Sequence, residues 1–197
     1  RCAFSFDQAC MQPGKGVSLM NSKFSFLIDV IIFKVAWVLC VLATKTPIPD
    51  LAPYCGIILV TGRAWAAGRL KPSLPLALSA MLMGIIGDAL LVKFNLLQFP
   101  PYPNLGGTPL WMVSLWVCFG IMLRPVFTWF LDHCMRSIIG FSLGGVIAYW
   151  SGQQLGVLEF TDSWISAIGI ATEWAIAGMA FRFLHLKFPS STAHERA

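Results

Sequence analysis

Charge is what this sequence has least of. Only 12% of its 197 residues are Asp, Glu, Lys or Arg, while 57% are hydrophobic; soluble domains carry about 25% charged residues. Together with a mean hydropathy of +0.72, that scarcity excludes a soluble enzyme, a disordered tail and a nucleic-acid binder. The net charge of +5 is not gathered into the basic stripe that a phosphate backbone selects. Clustered thiols are missing too. Cys2, Cys10, Cys40, Cys55, Cys118 and Cys134 contain no C-x-x-C spacing, so they read as small apolar fillers and not as a zinc site or a disulfide framework. The three histidines, His133, His185 and His194, fall at the edges of apolar runs or in the tail. No H-E-x-x-H, G-x-S-x-G elbow or phosphate loop occurs. Asp132-His133 has the composition of a solvated helix end more than of an acid–base pair. The expectation is therefore a protein without enzymatic chemistry, cofactor or metal.

What is present is a series of apolar runs. About 20 apolar residues are needed for a helix to cross the hydrocarbon layer. Six segments qualify, over about 26–43, 51–68, 74–97, 109–131, 137–155 and 163–184. Pro109 stands where a helix tolerates proline best, at its start. Connections are short except for 98–108, whose prolines and glycines predict no regular element. The fold class expected is all-α, a polytopic bundle of six transmembrane helices spanning residues 24–186. Residues 1–23 read as a poorly ordered extension and 187–197 as a flexible cytoplasmic tail.

Basic loops resist translocation. A cytoplasmic N-terminus puts Lys15, Lys23, Arg69, Lys71, Arg136, Arg182, Lys187 and Arg196 on the cytoplasmic side, with only Lys45 and Lys93 near the other face. Both termini are then cytoplasmic. Tyr54, Tyr102, Trp111 and Trp164 fall near the predicted outer boundary, and Trp65 and Trp129 near the inner one, as an aromatic belt would. The first and last three runs show no inverted repeat of the sort that marks many transporters.

Charges inside the runs are the main functional clue, because each is costly in hydrocarbon and so faces protein or water. Asp88 lies roughly 20 Å from the start of its helix, beyond the reach of snorkelling. Ala80, Gly84 and Asp88 share a face, as do Gly169, Glu173 and Ala177, so both acids are expected to point into close helix contacts. Lys34 sits at a depth comparable to Glu173, its expected partner, with Asp88 the alternative. Arg63 and Arg124 lie within snorkelling distance of helix ends, and Asp29 reads as interfacial. In the fifth run, Gly140, Gly144, Ala148, Gly152 and Gly156 recur every four residues. Such a stripe allows a close approach of backbones, either between helices of one chain or across a homodimer seam.

Four segments carry a family resemblance. Pro109-Leu110-Trp111 with Leu115-Trp116 and Phe119, Gly144-Gly145 with Ala148-Tyr149 and Gly152, Gly84 with Gly87-Asp88, and Phe33 with Trp37 resemble the motifs of a small bacterial inner-membrane family, domain of unknown function 2878. Arg124 departs from the smaller polar residue expected there. The resemblance implies a multi-pass protein of the bacterial inner membrane whose relatives are encoded near fatty-acid cyclopropanation-type enzymes. The leading expectation is a non-enzymatic accessory or interaction protein linked to membrane-lipid modification. Its partners would be membrane lipid and a second copy or another membrane protein. A proton-linked or small-solute transporter using Asp88 and Glu173 is the alternative, and a membrane-embedded lipid-modifying enzyme the third.

Overall fold

The computed structural model describes residues 15–45 and 51–188, with side chains from residue 22 onward. Within them the chain is all-α. Its helices are α1 (Lys15–Val41), α2 (Ala52–Ala66), α3 (Leu70–Lys93), α4 (Leu110–Leu131), α5 (Cys134–Gln154) and α6 (Ser163–Lys187). α1 begins at Lys15, inside the segment expected to be an unordered extension. Downstream of Gly16 no proline or glycine interrupts the chain up to Val41, so nothing stops the helix from growing toward Pro13-Gly14. Residues 1–14 and 189–197 lie outside the described residues, as do 46–50.

Segment ends follow from local chemistry. Gly68 takes a positive φ of 66° just after α2, which only glycine adopts readily. Asp162 starts α6 by accepting the backbone N–H groups of Trp164 and Ile165, two donors a first turn otherwise leaves unpaired. The 98–108 connection corrects the expectation of no regular element. Strand β2 (Asn104–Leu105) pairs antiparallel with β3 (Thr108–Pro109). The tight turn between them is made by Gly106 and Gly107, both at positive φ (66° and 105°), the requirement of a two-residue hairpin loop. Next to it, β1 (Leu97–Gln98) pairs with β4 (Glu159–Phe160), tying the α3–α4 connection to the α5–α6 one.

Four helical stretches are long and apolar enough to cross a membrane: Ser22–Val41, Leu70–Lys93, Leu110–Leu131 and Ser163–Lys187. α2 has 15 residues, about 22 Å of helix against a hydrocarbon layer of about 30 Å. α5 has the length, at 21 residues, but glycine, serine and glutamine dilute its hydrophobicity. The chain is thus an α-helical membrane protein.

α4 is its central helix. Buried residues make up 56% of its membrane stretch, against 28–33% in the other three, and it packs on α1, α2, α3, α5 and α6. The closest pairs are α3 with α4 and α5 with α6. Between α1 and α5, by contrast, there is little packing, and the α4 face between them is left open. Lipid offers no hydrophobic drive for helix association, so such a bundle rests on close packing and buried hydrogen bonds.

Candidate functional site

Asp88 has no exposure at all. Both of its oxygens are held by side chains from other helices: Trp116 Nε1 of α4 donates to Oδ2 at 3.0 Å, and Tyr149 Oη of α5 donates to Oδ1 at 2.5 Å. Small residues make this possible. A Cβ at Gly84, one turn before Asp88, would fall inside the Trp116 ring, and one at Gly145 inside the Trp174 ring. The two indoles stack at 4.6 Å and 26°, and Tyr149 meets Trp174 edge-on at 6.4 Å. The carboxylate is therefore roofed by aromatic rings and reached by two hydrogen-bond donors.

Glu173 comes to the same neighbourhood from α6. Its carboxylate lies over Gly87, where no other residue leaves room. Both Glu173 oxygens are buried with no hydrogen-bond partner among the described residues. Two acids thus meet at neighbouring positions of α3, one fully donated to and one not. Among the described residues no group of three His, Cys, Asp or Glu comes together as a metal site would require.

The other intramembrane charges are placed differently from the sequence expectation. Lys34 does not pair with Glu173: no ion pair joins them, α1 and α6 have little packing between them, and the Lys34 side chain is exposed. Arg63 does not snorkel freely. It donates through Nε to Asp29 at 2.7 Å and through a terminal nitrogen to Ser25 Oγ at 2.7 Å. Asp29, expected to be interfacial, is buried at 1% exposure and also receives Arg69 at 2.8 and 2.9 Å. A tether joining α1, α2 and the start of α3 results. Arg124 donates to the carbonyls of Pro72 and Phe188, and Arg182 to that of Leu131, so both arginines serve carbonyls at helix ends. Asp132 is 3.8 Å from His185, which replaces His133 as its neighbour. In the aromatic belt, Trp65 and Trp164 are exposed, but Trp111 is turned into the core at 1% exposure.

The α5 stripe has an outcome of its own. The glycines that receive a neighbour from α6 lie elsewhere: Gly145 takes Trp174, and Gly178 of α6 faces Phe141. Gly140, Gly144, Ala148 and Gly152 instead line one wall of a cavity of about 390 Å³. Nothing lies within 4 Å of the place a Gly144 Cβ would take. Gly156 leaves the stripe altogether, in the turn after α5 at φ 64°. The opposite wall is α1, through Phe33, Lys34, Trp37 and Val41, and the floor is α4, with Trp111, Trp116, Phe119 and Phe127. Tyr149 and Trp174 also line it, so the cavity reaches the roof of Asp88. It opens along the molecule's side at Lys34, Gly144 and Ile147, all exposed.

Sequence reasoning placed both acids inward but missed Trp116 and Tyr149 as the partners of Asp88, and the pairing of buried Asp29 with the partly exposed Arg69. Trp116 and Tyr149 do stand inside the segments that carry the family resemblance. No curated protein and no solved structure matches the chain. A sequence family does: residues 26–179 match the protein of unknown function family DUF2878, and with most of its length matched, the chain belongs to that family.

Proposed function

We propose that this protein is a non-enzymatic component of the bacterial inner membrane that holds the acyl chain of a membrane lipid in the groove between α1 and α5, as an accessory to lipid modification. The observation that carries this reading is the groove itself. From Gly140 to Gly152 its α5 wall runs about 18 Å at 1.5 Å per residue, close to the roughly 15 Å of hydrocarbon in one leaflet. Its lining is almost wholly aromatic and aliphatic, and its opening faces the side of the bundle, from which a lipid chain can enter. A six-crossing topology with both termini cytoplasmic belongs to the same proposal. It is supported by the basic residues gathered at the Asp29–Arg63–Arg69 end of the bundle.

The test is lipid retention. Purified protein, delipidated in detergent and examined by native mass spectrometry, is expected to keep one lipid per chain. Gly144→Phe, which fills the groove where no side chain stands, is expected to lose it. Equal retention by the two would overturn the reading. In cells, deletion is expected to change the acyl-chain profile.

A second reading, a proton- or cation-linked carrier, is favoured by one observation: Glu173 is buried beside Asp88 without a donor of its own. Flux in proteoliposomes that falls in Glu173→Gln would support it, whereas undiminished flux would remove Glu173 from any such mechanism.

A further inference from the structure

The groove is mostly apolar, with Ser151 and Tyr149 in its lining, and one lining residue, Lys34, carries a charge. Lys34 is turned into the α1 wall between Phe33 and Trp37. It has neither an ion-pair nor a hydrogen-bond partner among the described residues. The acids that could have answered it are committed elsewhere. Asp29 is held by Arg63 and Arg69, and Asp88 by Trp116 and Tyr149. Glu173 is turned onto Gly87 between α3 and α6, Asp132 meets His185, Asp162 caps α6, and Glu159, exposed on β4, forms no ion pair with Lys34. A cation at intramembrane depth is expensive unless it is paired or reaches the interface, and no described acid pairs with Lys34.

From this we infer that the groove's occupant is an anionic amphiphile, its acidic head paired with Lys34 and its acyl chain laid along the aromatic floor. This inference rests on the groove reading above and adds the chemistry of the head group. Lys34 stands seven residues before the end of α1 at Val41, about 10 Å along the helix. The four-carbon stem of a lysine lets its ammonium rise toward the membrane boundary while the methylenes stay in apolar surroundings. A carboxylate or phosphate at that boundary comes within reach, and the chain attached to it runs down past Phe119 toward Phe127 and Gly140. Two sources supply this chemistry, a free fatty acid and an anionic phospholipid. A neutral or zwitterionic lipid would fill the groove equally well but leave Lys34 uncompensated.

The experiment uses the tryptophans already in the lining, Trp37, Trp111, Trp116 and Trp174. The full chain is reconstituted in phosphatidylcholine vesicles doped with one of three probes brominated on the acyl chain: phosphatidylglycerol, a fatty acid, or phosphatidylcholine. Bromine quenches the indoles it touches. At least one anionic probe is expected to reach half-quenching at a mole fraction about fivefold below that of brominated phosphatidylcholine, the advantage of one basic residue near an anionic lipid. Whichever does so identifies the source. Lys34→Gln is expected to erase that difference while quenching by phosphatidylcholine persists, and Lys34→Arg to keep it.

Equal half-quenching by all three probes, or a preference untouched in Lys34→Gln, would overturn the head-group inference and leave the groove reading standing. If Gly144→Phe quenches like the parent protein with every probe, the groove reading falls, and this inference with it. Cross-linking of two copies through α1 and α5 with no selective quenching would assign the groove to a second copy, and both would be overturned.

Discussion

Gly120 offers the sharpest check of how α3 and α4 are packed. A Cβ placed there would stand 2.5 Å from the Cα of Ala77 and 2.8 Å from both the Leu76 carbonyl oxygen and the Ala80 Cβ. Two of those three atoms belong to the α3 backbone, so no side chain can swing away to make room. In Gly120→Ala the two helices have to part until 2.5 Å becomes the 3.4 Å of an ordinary contact. That parting occurs one turn from Trp116, whose indole reaches Asp88 across the same interface at 3.0 Å. Overpacking of a core costs 1–3 kcal/mol as a rule. With backbone as the obstacle and a buried hydrogen bond stretched, about 3 kcal/mol is expected, more than a hundredfold in the folded-to-unfolded ratio. Gly144→Ala provides the control on the same kind of helix. No atom lies within 4 Å of its Cβ, so the change gains up to about 1 kcal/mol of helix propensity at no steric cost. Equilibrium unfolding in mixed SDS micelles, followed by tryptophan fluorescence, measures both. If Gly120→Ala unfolds at the same SDS fraction as the parent, α3 and α4 do not touch here, and the geometry around Asp88 is wrong with it.

Four further outcomes are expected. Asp29→Ala leaves Arg63 and Arg69 without a counter-charge and should cost about 2 kcal/mol, short of the 3–5 of a fully buried pair because the arginines keep 18% and 30% exposure. Arg63→Ala should cost less in the same assay, since Arg69 still reaches both Asp29 oxygens. Tyr149→Phe removes one of the two donors to Asp88 and should lower stability by about 0.6 kcal/mol and by no more than about 1.7, the mean and the maximum measured for hydrogen bonds between membrane helices. Near-UV circular dichroism of the Trp116–Trp174 stack should change along with it. Peptide-level mapping of maleimide labelling in detergent should find Cys134 and Cys55 modified in the folded protein, and Cys40 and Cys118, both buried, only after denaturation.

Depth along a helix was legible in the sequence, whereas direction around it was not. Hydrophobic run length located five of the six helices to within a few residues, α1 starting about eleven residues earlier than its run, because the cost of polar backbone in hydrocarbon acts on each segment by itself. Small residues one turn away, Gly84 for Asp88 and Gly169 and Ala177 for Glu173, pointed both acids toward protein, and in the fold the side chains of Trp116 and Glu173 fill the spaces at Gly84 and Gly87. Pairing Lys34 with Glu173 failed for a different reason. Equal depth says nothing about whether two helices are neighbours, and neighbour relations are set by the whole bundle: α4 lies between α1 and α6, so the two charges never meet. The α5 stripe shows the same limit. Four-residue spacing of Gly140, Gly144, Ala148 and Gly152 shows that one face is small, and the spacing is identical whether another helix or a groove lies against it. Asp29 was lost because a carboxylate near a helix end looks interfacial until two arginines from other helices close over it.

Tyr149 joins what would otherwise be two separate features. Its ring is part of the groove wall, and its hydroxyl is a donor to Asp88. The same holds for Trp116, which lines the groove with its ring and reaches the other Asp88 oxygen through its N–H. An acyl chain in the proposed groove would be one side chain away from buried Asp88 and its neighbour Glu173. The resemblance segments fit that arrangement. Phe33 and Trp37 form one wall, Trp111, Trp116 and Phe119 the floor, Gly144, Ala148 and Gly152 the other wall, and Gly84, Gly87 and Asp88 lie beneath, the glycine spaces filled by Trp116 and Glu173. Aromatic and glycine motifs without a catalytic signature are what a site of this kind needs: rings to bound a hydrocarbon chain, and missing side chains to leave the space for it. If the chain's arrival turns either ring, Asp88 loses a donor, so occupancy of the groove and the state of the acid pair are physically linked through two named side chains.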